Sequence, residues 1–450
     1  MKKAMDGRLR RLHRRDWHGF LNRMVPAAVW RSFQKDAKPK KDGRTRWTPK
    51  YVVLSWIVMG WSVQGELTGR FREGVEWLGE TFSRRRRTGK TYQGFVKASQ
   101  HLRRDCLQRF WSSARRTIPK QLGEAWYWYG WVVMGTDGSR FQTSRTRANE
   151  RQLGKSGRDK SHPQWWGTCV LHLRTGLIWD WRIGPGDSSE RSHVLEMLGG
   201  LPDRTLLVGD IGFGGFDFLQ RLSEAGVKFL IRTASNTTLL LVEGTRQRIE
   251  RAGEHRYIYL WPRDRRTQAP LRLRLMVLKR RGRRVYLVTN VMESERLSRG
   301  MASRFYQARW GLEVAYRSLK QTMERRKILA GSPEVGSMEL EGNILAFALL
   351  MLHAVLAMGA RMGRASVAKL LALIRRAIEA VRWKASTVWL MAALRTAVRD
   401  AYERHSSKKA RDWPYKKREP VPSPPKLRRM SRKEKVRMQA FRHCADMVLS

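Results

Sequence analysis

Acidic residues are scarce in this chain, and two of them stand where chemistry is commonly done. Asp137 follows the apolar run Val132-Val133-Met134-Gly135-Thr136, and Asp210 follows Leu206-Leu207-Val208-Gly209 and leads into Ile211-Gly212-Phe213-Gly214-Gly215. Each apolar run reads as a strand, so each carboxylate is expected just past a strand end. Carboxylates at the ends of neighbouring strands can converge on a divalent cation such as Mg²⁺, which takes oxygen ligands and leaves positions open for water and phosphate. Taken singly, either residue is equally an Asp that starts a turn.

A third component lies further along, in a helical stretch expected over 294–327. Tyr306, Arg309, Glu313 and Lys320 are separated by two, three and six residues. At 3.6 residues per turn they fall within roughly 60° of one another, a narrow stripe along one helix face. One acid flanked by two cations and a phenol suits a metal-bound phosphodiester. Arg309 and Glu313 are also spaced as an ordinary i,i+4 surface pair, a reading that explains the pair but not its company.

The elements that would hold these residues emerge from composition and texture. The 450 residues carry 91 Lys+Arg against 39 Asp+Glu, a net charge of +52, yet 42% are hydrophobic. That apolar content argues against a disordered basic arm, which would have too little to bury. The charge predicts a polyanionic partner, with nucleic acid ahead of an anionic membrane surface. Residues 1–50 hold 16 Lys/Arg and four Asp, and residues 404–450 hold 15 Lys/Arg and four acids, so basicity is densest at both ends. Three separated cysteines, Cys106, Cys169 and Cys444, offer neither a disulfide framework nor zinc spacing and suit a reducing cytosol. The basic N-terminus lacks the apolar run of a signal peptide. The apolar stretch 344–360 contains His353 and is read as a buried core helix, not a membrane span.

Six regions are expected. Residues 1–125 are helical and basic, and by charge and texture they are the region expected to bind DNA. Helices are expected from Thr48-Pro49, with the Thr hydroxyl capping, and over 92–117; the four-arginine run 84–87 is expected to meet phosphate. Residues 126–233 form the first part of a mixed α/β core, with strands near 131–136, 167–173, 177–183, 206–209 and 227–232 and helices near 189–198 and 216–225. Residues 234–290 are a β-rich insertion with strands near 237–242, 257–261, 271–279 and 285–290. Residues 291–330 carry the four-residue stripe, 331–403 are helical with a possible role in dimerisation, and 404–450 are a basic tail. In that tail Pro420, Pro422, Pro424 and Pro425 mark an extended segment before a basic amphipathic stretch.

The order of Asp137 in Gly-Thr-Asp-Gly-Ser-Arg, Asp210 in Gly-Asp-Ile-Gly-Phe, and the spacing from Tyr306 to Lys320 resembles the DDE transposases of bacterial insertion sequences. More narrowly it is similar to their cut-and-paste group with the Y-R-E-K signature, over residues 130–360. The resemblance implies an α/β fold: an RNase H-like catalytic core with a β-rich insertion, flanked by helical N-terminal and C-terminal regions. It implies that Asp137, Asp210 and Glu313 are catalytic and bind two Mg²⁺ or Mn²⁺ ions, while Tyr306, Arg309 and Lys320 hold DNA phosphates. The implied partners are double-stranded DNA, as inverted-repeat ends and target, and a second copy of the chain in a synaptic homodimer; no membrane is implied. The implied reaction is cleavage at the element's ends and transfer of 3′-hydroxyl ends into target DNA, in the bacterial cytoplasm at the nucleoid. In hairpin-forming members an aromatic wedge in the strand before the signature helix stacks on a flipped base. Here that strand has Tyr286 and no Trp.

Competing motifs are incomplete. Gly89-Lys90-Thr91 lacks the first glycine of a phosphate-binding loop, where Arg84 stands, and Gly212, Gly214 and Gly215 do not complete a dinucleotide fingerprint. His162, His172 and His193 make no metal-ligand pattern, and the 19 tryptophans read chiefly as packing residues. Two other readings stay open at this point: a catalytically inactive DNA-binding protein or repressor on the same scaffold, and a basic RNA-associated protein.

Overall fold

The structure, a computed structural model, describes residues 25, 27–36, 46–82, 88–102, 105–154, 162–280, 283–358, 365–399 and 423–448. The arginine run 84–87, Arg281 and Gly282 of the basic turn, and most of the two basic termini lie outside the described residues. The chain divides into two compact units, neither continuous in sequence. One comprises residues 1–127, 138–189 and 311–400, the other 128–137, 190–310 and 401–450.

The first unit is built on two helices that are apolar all round, the pattern of helices buried on every side. Pro49–Trp61 buries Val52, Val53, Leu54, Trp56, Ile57, Val58, Met59 and Trp61. Pro333–Met358 is long and apolar enough to cross a membrane, but 89% of its most apolar stretch is buried inside the protein. It is a core helix, as expected. The two backbones approach closely because glycines face them. A Cβ on Gly60 would sit 2.5 Å from the Ala346 Cβ, and one on Gly342 would sit 3.0 Å from the Trp56 Cβ. Trp61 Nε1 donates to the Ala346 carbonyl at 2.8 Å across the same contact.

Buried cations then close the end of Pro49–Trp61, where unpaired carbonyls accumulate negative charge. Arg325 donates to the carbonyls of Met59, at 3.2 Å, and Ser62, and Arg375 donates to that of Trp61 at 2.8 Å. Nearby Arg70 pairs with Glu339 at 3.4 Å, and Glu339 accepts the N–H groups of Leu329 and Ala330, both at 2.9 Å. Burial pushes the Glu339 carboxyl up to about 7 against the pull of these donors and of Arg70 and Arg325. The network fastens the chain just beyond Lys320 to the helical core.

Two expectations in this unit need correction. Thr48 precedes the helix as expected, and its carbonyl accepts from Tyr51 and Val52, but its hydroxyl makes no cap and is buried without a partner. The single helix expected over 92–117 is two, Tyr92–Gln100 and Cys106–Arg115. The first ends where His101 N–H folds back onto the Lys97 and Ser99 carbonyls, and Asp105 opens the second.

The strands, in chain order, are β1 Val132–Thr143, β2 Gln164–His172, β3 Leu177–Pro185, β4 Thr205–Gly209, β5 Lys228–Arg232, β6 Thr238–Leu241, β7 Glu254–Leu260, β8 Leu271–Arg280, β9 Arg283–Thr289, β10 Lys327–Ile328 and β11 Lys426–Arg429. In the second unit the early half of β1 runs parallel to β4, and β4 parallel to β5. The insertion strands β6–β9 form an antiparallel meander joined to the core through β5 and β9. In the first unit β2 and β3 form an antiparallel hairpin, and the end of β1 runs parallel to β10. Helices Glu190–Met197 and Phe216–Glu224 precede β4 and β5. A parallel centre followed by a β-rich insertion before the next helix makes the second unit mixed α/β, as expected.

β1 is longer than its apolar run suggests. It extends seven residues past Thr136, because its later half finds its own partners in Gln142↔Lys327 and Thr143↔Ile328. Asp137 is therefore inside a strand and not just past its end. At the other edge β11 runs parallel to β6, and the helix after it packs Met438 and Phe441, with Met430, against Leu240, Tyr259 and Trp261. Ser431 and Glu434 form a reciprocal helix cap, and Glu434 also pairs with Arg428 at 2.7 Å and Arg266 at 2.9 Å. These contacts hold the Glu434 carboxyl down at about 2.

The glycine contact gives a direct test. Gly60→Ala gains up to about 1 kcal/mol of helix propensity but overpacks the helix interface by about 1–3 kcal/mol. A net loss of thermal stability is expected, whereas Gly65→Ala, with open space around it, leaves the melting temperature unchanged. Equal melting curves for the two variants refute the close packing.

Candidate active site

The parallel ladder aligns the candidate residues. Gly135 pairs with Val208, and Gly209 with Ile231. Continuing the register places Asp137 beside Asp210 and Asp210 beside Arg232, a row of side chains on three adjacent strands about 4.8 Å apart. Residues in register on parallel strands share a face, so the two carboxylates stand together with a cation at the end of the row. Asp210 is half-buried and caps the short 3₁₀ turn Ile211–Phe213, accepting from Gly212 N–H at 2.8 Å. Arg191, from helix Glu190–Met197, donates to the Gly212 carbonyl at 2.8 Å and steadies that turn.

Helix Arg299–Ala308 brings Tyr306 and Arg309 to this row. Its N-terminus is capped by Ser298, whose hydroxyl accepts from Met301 N–H at 3.2 Å. Arg309 lies 3.7 Å from Asp137, and its guanidinium is 5.9 Å from the Tyr306 ring centre. The Tyr306 phenol is buried, which pushes its pKa up, while Arg232 and Arg309 pull the other way, Arg232 also through a hydrogen bond. Arg232 was not among the expected site residues. The signal for it was available: it closes β5, one residue past the Ile231 that pairs with Gly209, as Asp210 is one residue past Gly209.

Glu313 and Lys320 belong to the other unit. Glu313 is half-buried in the first turn of helix Trp310–Arg317, and Tyr316 anchors that helix by donating to the Gly167 carbonyl at 3.0 Å. The regular stripe drawn through all four residues needs correction at Lys320. The helix breaks at Arg309 and widens to a π-turn over Ser318–Thr322, which shifts the angular position of Lys320 relative to the residues before it. Lys320 donates to the Ser139 hydroxyl at 2.6 Å and lies 4.8 Å from the Phe141 ring. Ser139 is on β1, two residues beyond Asp137 and so on the same strand face. Burial, helped by Arg326 and Arg140, lowers the Lys320 ammonium to about 8.

Tyr286, the aromatic of the strand in which the resemblance implies a wedge, is held in the fold. It is 6% exposed, and its hydroxyl donates to Glu250 at 2.6 Å.

Among the described residues, no three His, Cys, Asp or Glu side chains cluster as a metal-binding group. Asp137 and Asp210 nevertheless supply the hard oxygen donors that Mg²⁺ or Mn²⁺ takes. The Arg309 guanidinium against Asp137 shows that this position already accommodates positive charge.

Residues 133–348 match the family model described as the transposase DDE domain. The transposase InsG for insertion sequence element IS4, from Escherichia coli (strain K12), is 25% identical over 263 residues, 54% of this chain and 58% of that protein. The match thus spans less than two thirds of the curated relative. A cryo-EM structure of piggyBac transposase in a synaptic complex with hairpin DNA aligns with 88% of this chain and 87% of its own, at 11% identity and a TM-score of 0.40. Both aspartates and the stretch from Tyr306 to Lys320 fall inside the matched residues 133–348, over which the chain is similar to the transposase DDE domain.

Proposed function

We propose that the chain is a DNA transposase that cleaves the inverted-repeat ends of an insertion sequence and transfers the 3′-hydroxyl ends into target DNA. The observation that carries this reading is Asp137 on β1 and Asp210 directly after the neighbouring parallel strand β4, with Arg309 against Asp137 and Arg232 closing β5. Two carboxylates beside two guanidiniums suit a site that must hold both cations and phosphodiester oxygens.

In this reading Asp137, Asp210 and Glu313 are the catalytic carboxylates and hold two Mg²⁺ or Mn²⁺ ions. Those ions would activate the attacking hydroxyl and stabilise the leaving oxygen. The chain's own groups position the DNA. Arg309 grips phosphate oxygens in pairs, as a planar guanidinium can, and Lys320 adds a point charge. Tyr306, kept protonated by its raised pKa, donates its hydroxyl to a phosphate oxygen. The partners are double-stranded DNA, as transposon ends and target, and a second copy of the chain, since two ends must be joined. The setting is the bacterial cytoplasm, at the nucleoid.

Nicking of inverted-repeat DNA in Mg²⁺ tests the assignment. Asp137→Ala, Asp210→Ala and Glu313→Ala should each lower the rate at least about a hundredfold, the scale set by losing several kcal/mol of charge stabilisation. Variants that cut as fast as wild type would sink the reading.

Lys320 predicts a pH effect. Its ammonium is charged below about 8 and loses its proton as pH rises past that value. DNA affinity, read by fluorescence anisotropy in EDTA, should fall by several-fold between pH 7 and 9. Lys320→Arg, which stays charged, should remove that fall.

A further inference from the structure

A cleft of about 890 Å³ opens in the second unit beside the turn that follows Asp210. Arg191, Arg263, Arg266, Lys426 and Arg428 line it, and no acid does. Glu434 pairs with Arg266 and Arg428 from behind, leaving the cleft strongly positive. Its walls come from three places: the turn after Asp210, the insertion strands β6 and β7 with the loop after β7, and β11. Lys426 and Arg428 reach it only because β11 pairs with β6, in register from Lys426↔Thr238 to Arg429↔Leu241. β11 lies well beyond residue 348, where the match to the transposase domain ends.

The shape and chemistry select the ligand. The volume is that of a pocket for small-molecule-sized groups, about 300–1,000 Å³. Duplex readout instead needs an element that projects into a groove about 12 Å wide. The Arg266 guanidinium carbon lies over Trp261, 4.4 Å from the ring centre, and its buried Nη1 has no hydrogen-bond partner. A guanidinium against an indole in a cationic cleft suits unpaired nucleotides, which stack on planar groups while their phosphates meet Lys and Arg.

We propose that this cleft binds a short run of single-stranded DNA, and that the C-terminal strand β11 completes it. The proposal rests on the transposase reading for the identity of its ligand. Strand cleavage beside Asp210 would leave a nicked duplex whose new end can fray, which supplies a short unpaired run next to the cleft.

Arg263 and Lys426 are exposed, so the full-length variant R263E/K426E is expected to fold. Binding is measured in EDTA to a fluorescent single strand of about 20 nucleotides, more than one cleft's worth, and to its duplex. Single-strand affinity should fall about tenfold or more near physiological salt, and the slope of log affinity against log salt should shrink by about 1.4, two single-strand phosphates' worth. Duplex affinity should change much less. Unchanged single-strand affinity and slope in R263E/K426E, an equal loss for duplex, or preference for single-stranded RNA would each overturn the proposal. Metal-dependent nicking is scored separately. A wild type that never nicks but shows the expected binding pattern defeats the transposase reading alone, and an active wild type with an unaffected double variant defeats the cleft alone.

Discussion

The candidate site depends on the register of three short parallel strands. Val132, Val133 and Met134 of β1, Leu206, Leu207 and Val208 of β4, and Phe229, Leu230 and Ile231 of β5 are all buried. Strands buried on both faces read as unbroken apolar runs, and their side chains leave little freedom to slide. A slip of one residue would turn Asp137 to the opposite face from Asp210. The carboxylate pair is thus set by hydrophobic packing several residues away. The polar residues then add what packing cannot: Asp210 fixes its own turn through Gly212, and Arg309 offsets the charge of Asp137.

Net charge alone overstates how much of the molecule is available to a polyanion. Several cations are structural. Arg274 is fully buried, bonded to Glu254 at 2.8 Å and to the Leu297 carbonyl at 2.9 Å. Arg115 is buried against Asp180 at 2.9 Å, and Arg325 and Arg375 close a helix end. Burying a guanidinium is costly unless its donors are matched, and here carbonyls do much of the matching. Removing such an arginine would weaken the fold before it weakened any contact with DNA. The cations free to meet phosphate are those at surfaces and clefts.

Elements were legible in the sequence wherever packing dominates. The strands of the core and insertion were visible because each is an apolar run bounded by turn residues, and the buried helix Pro333–Met358 was visible for the same reason. The later half of β1 was not, since Arg140 and Gln142 carry no apolar signal and pairing with β10 decides their state. β11 was hidden further, because Lys-Leu-Arg-Arg becomes a strand only through the exposed edge it meets. The spacing of Tyr306, Arg309 and Glu313 could be read directly, but the π-turn that carries Lys320 is a tertiary result. Arg232 was missed because a lone cation in a basic chain has no contrast; only the register of β5 against β4 singles it out.

The same edge explains why β11, the last of the described strands, is basic. Without β11, β6 would present an unpaired backbone edge backed by Leu239, Leu240 and Leu241, a template for pairing with other chains. β11 satisfies that edge, and Met430 and Met438 cover the apolar surface beside it. The capping strand then becomes the new edge, and there Lys426, Arg428 and Arg429 discourage further addition, since another basic strand would be repelled. Placing cations on this strand therefore meets two demands together: among the described strands it ends the sheet, and it sets Lys426 and Arg428 in the cleft beside Asp210.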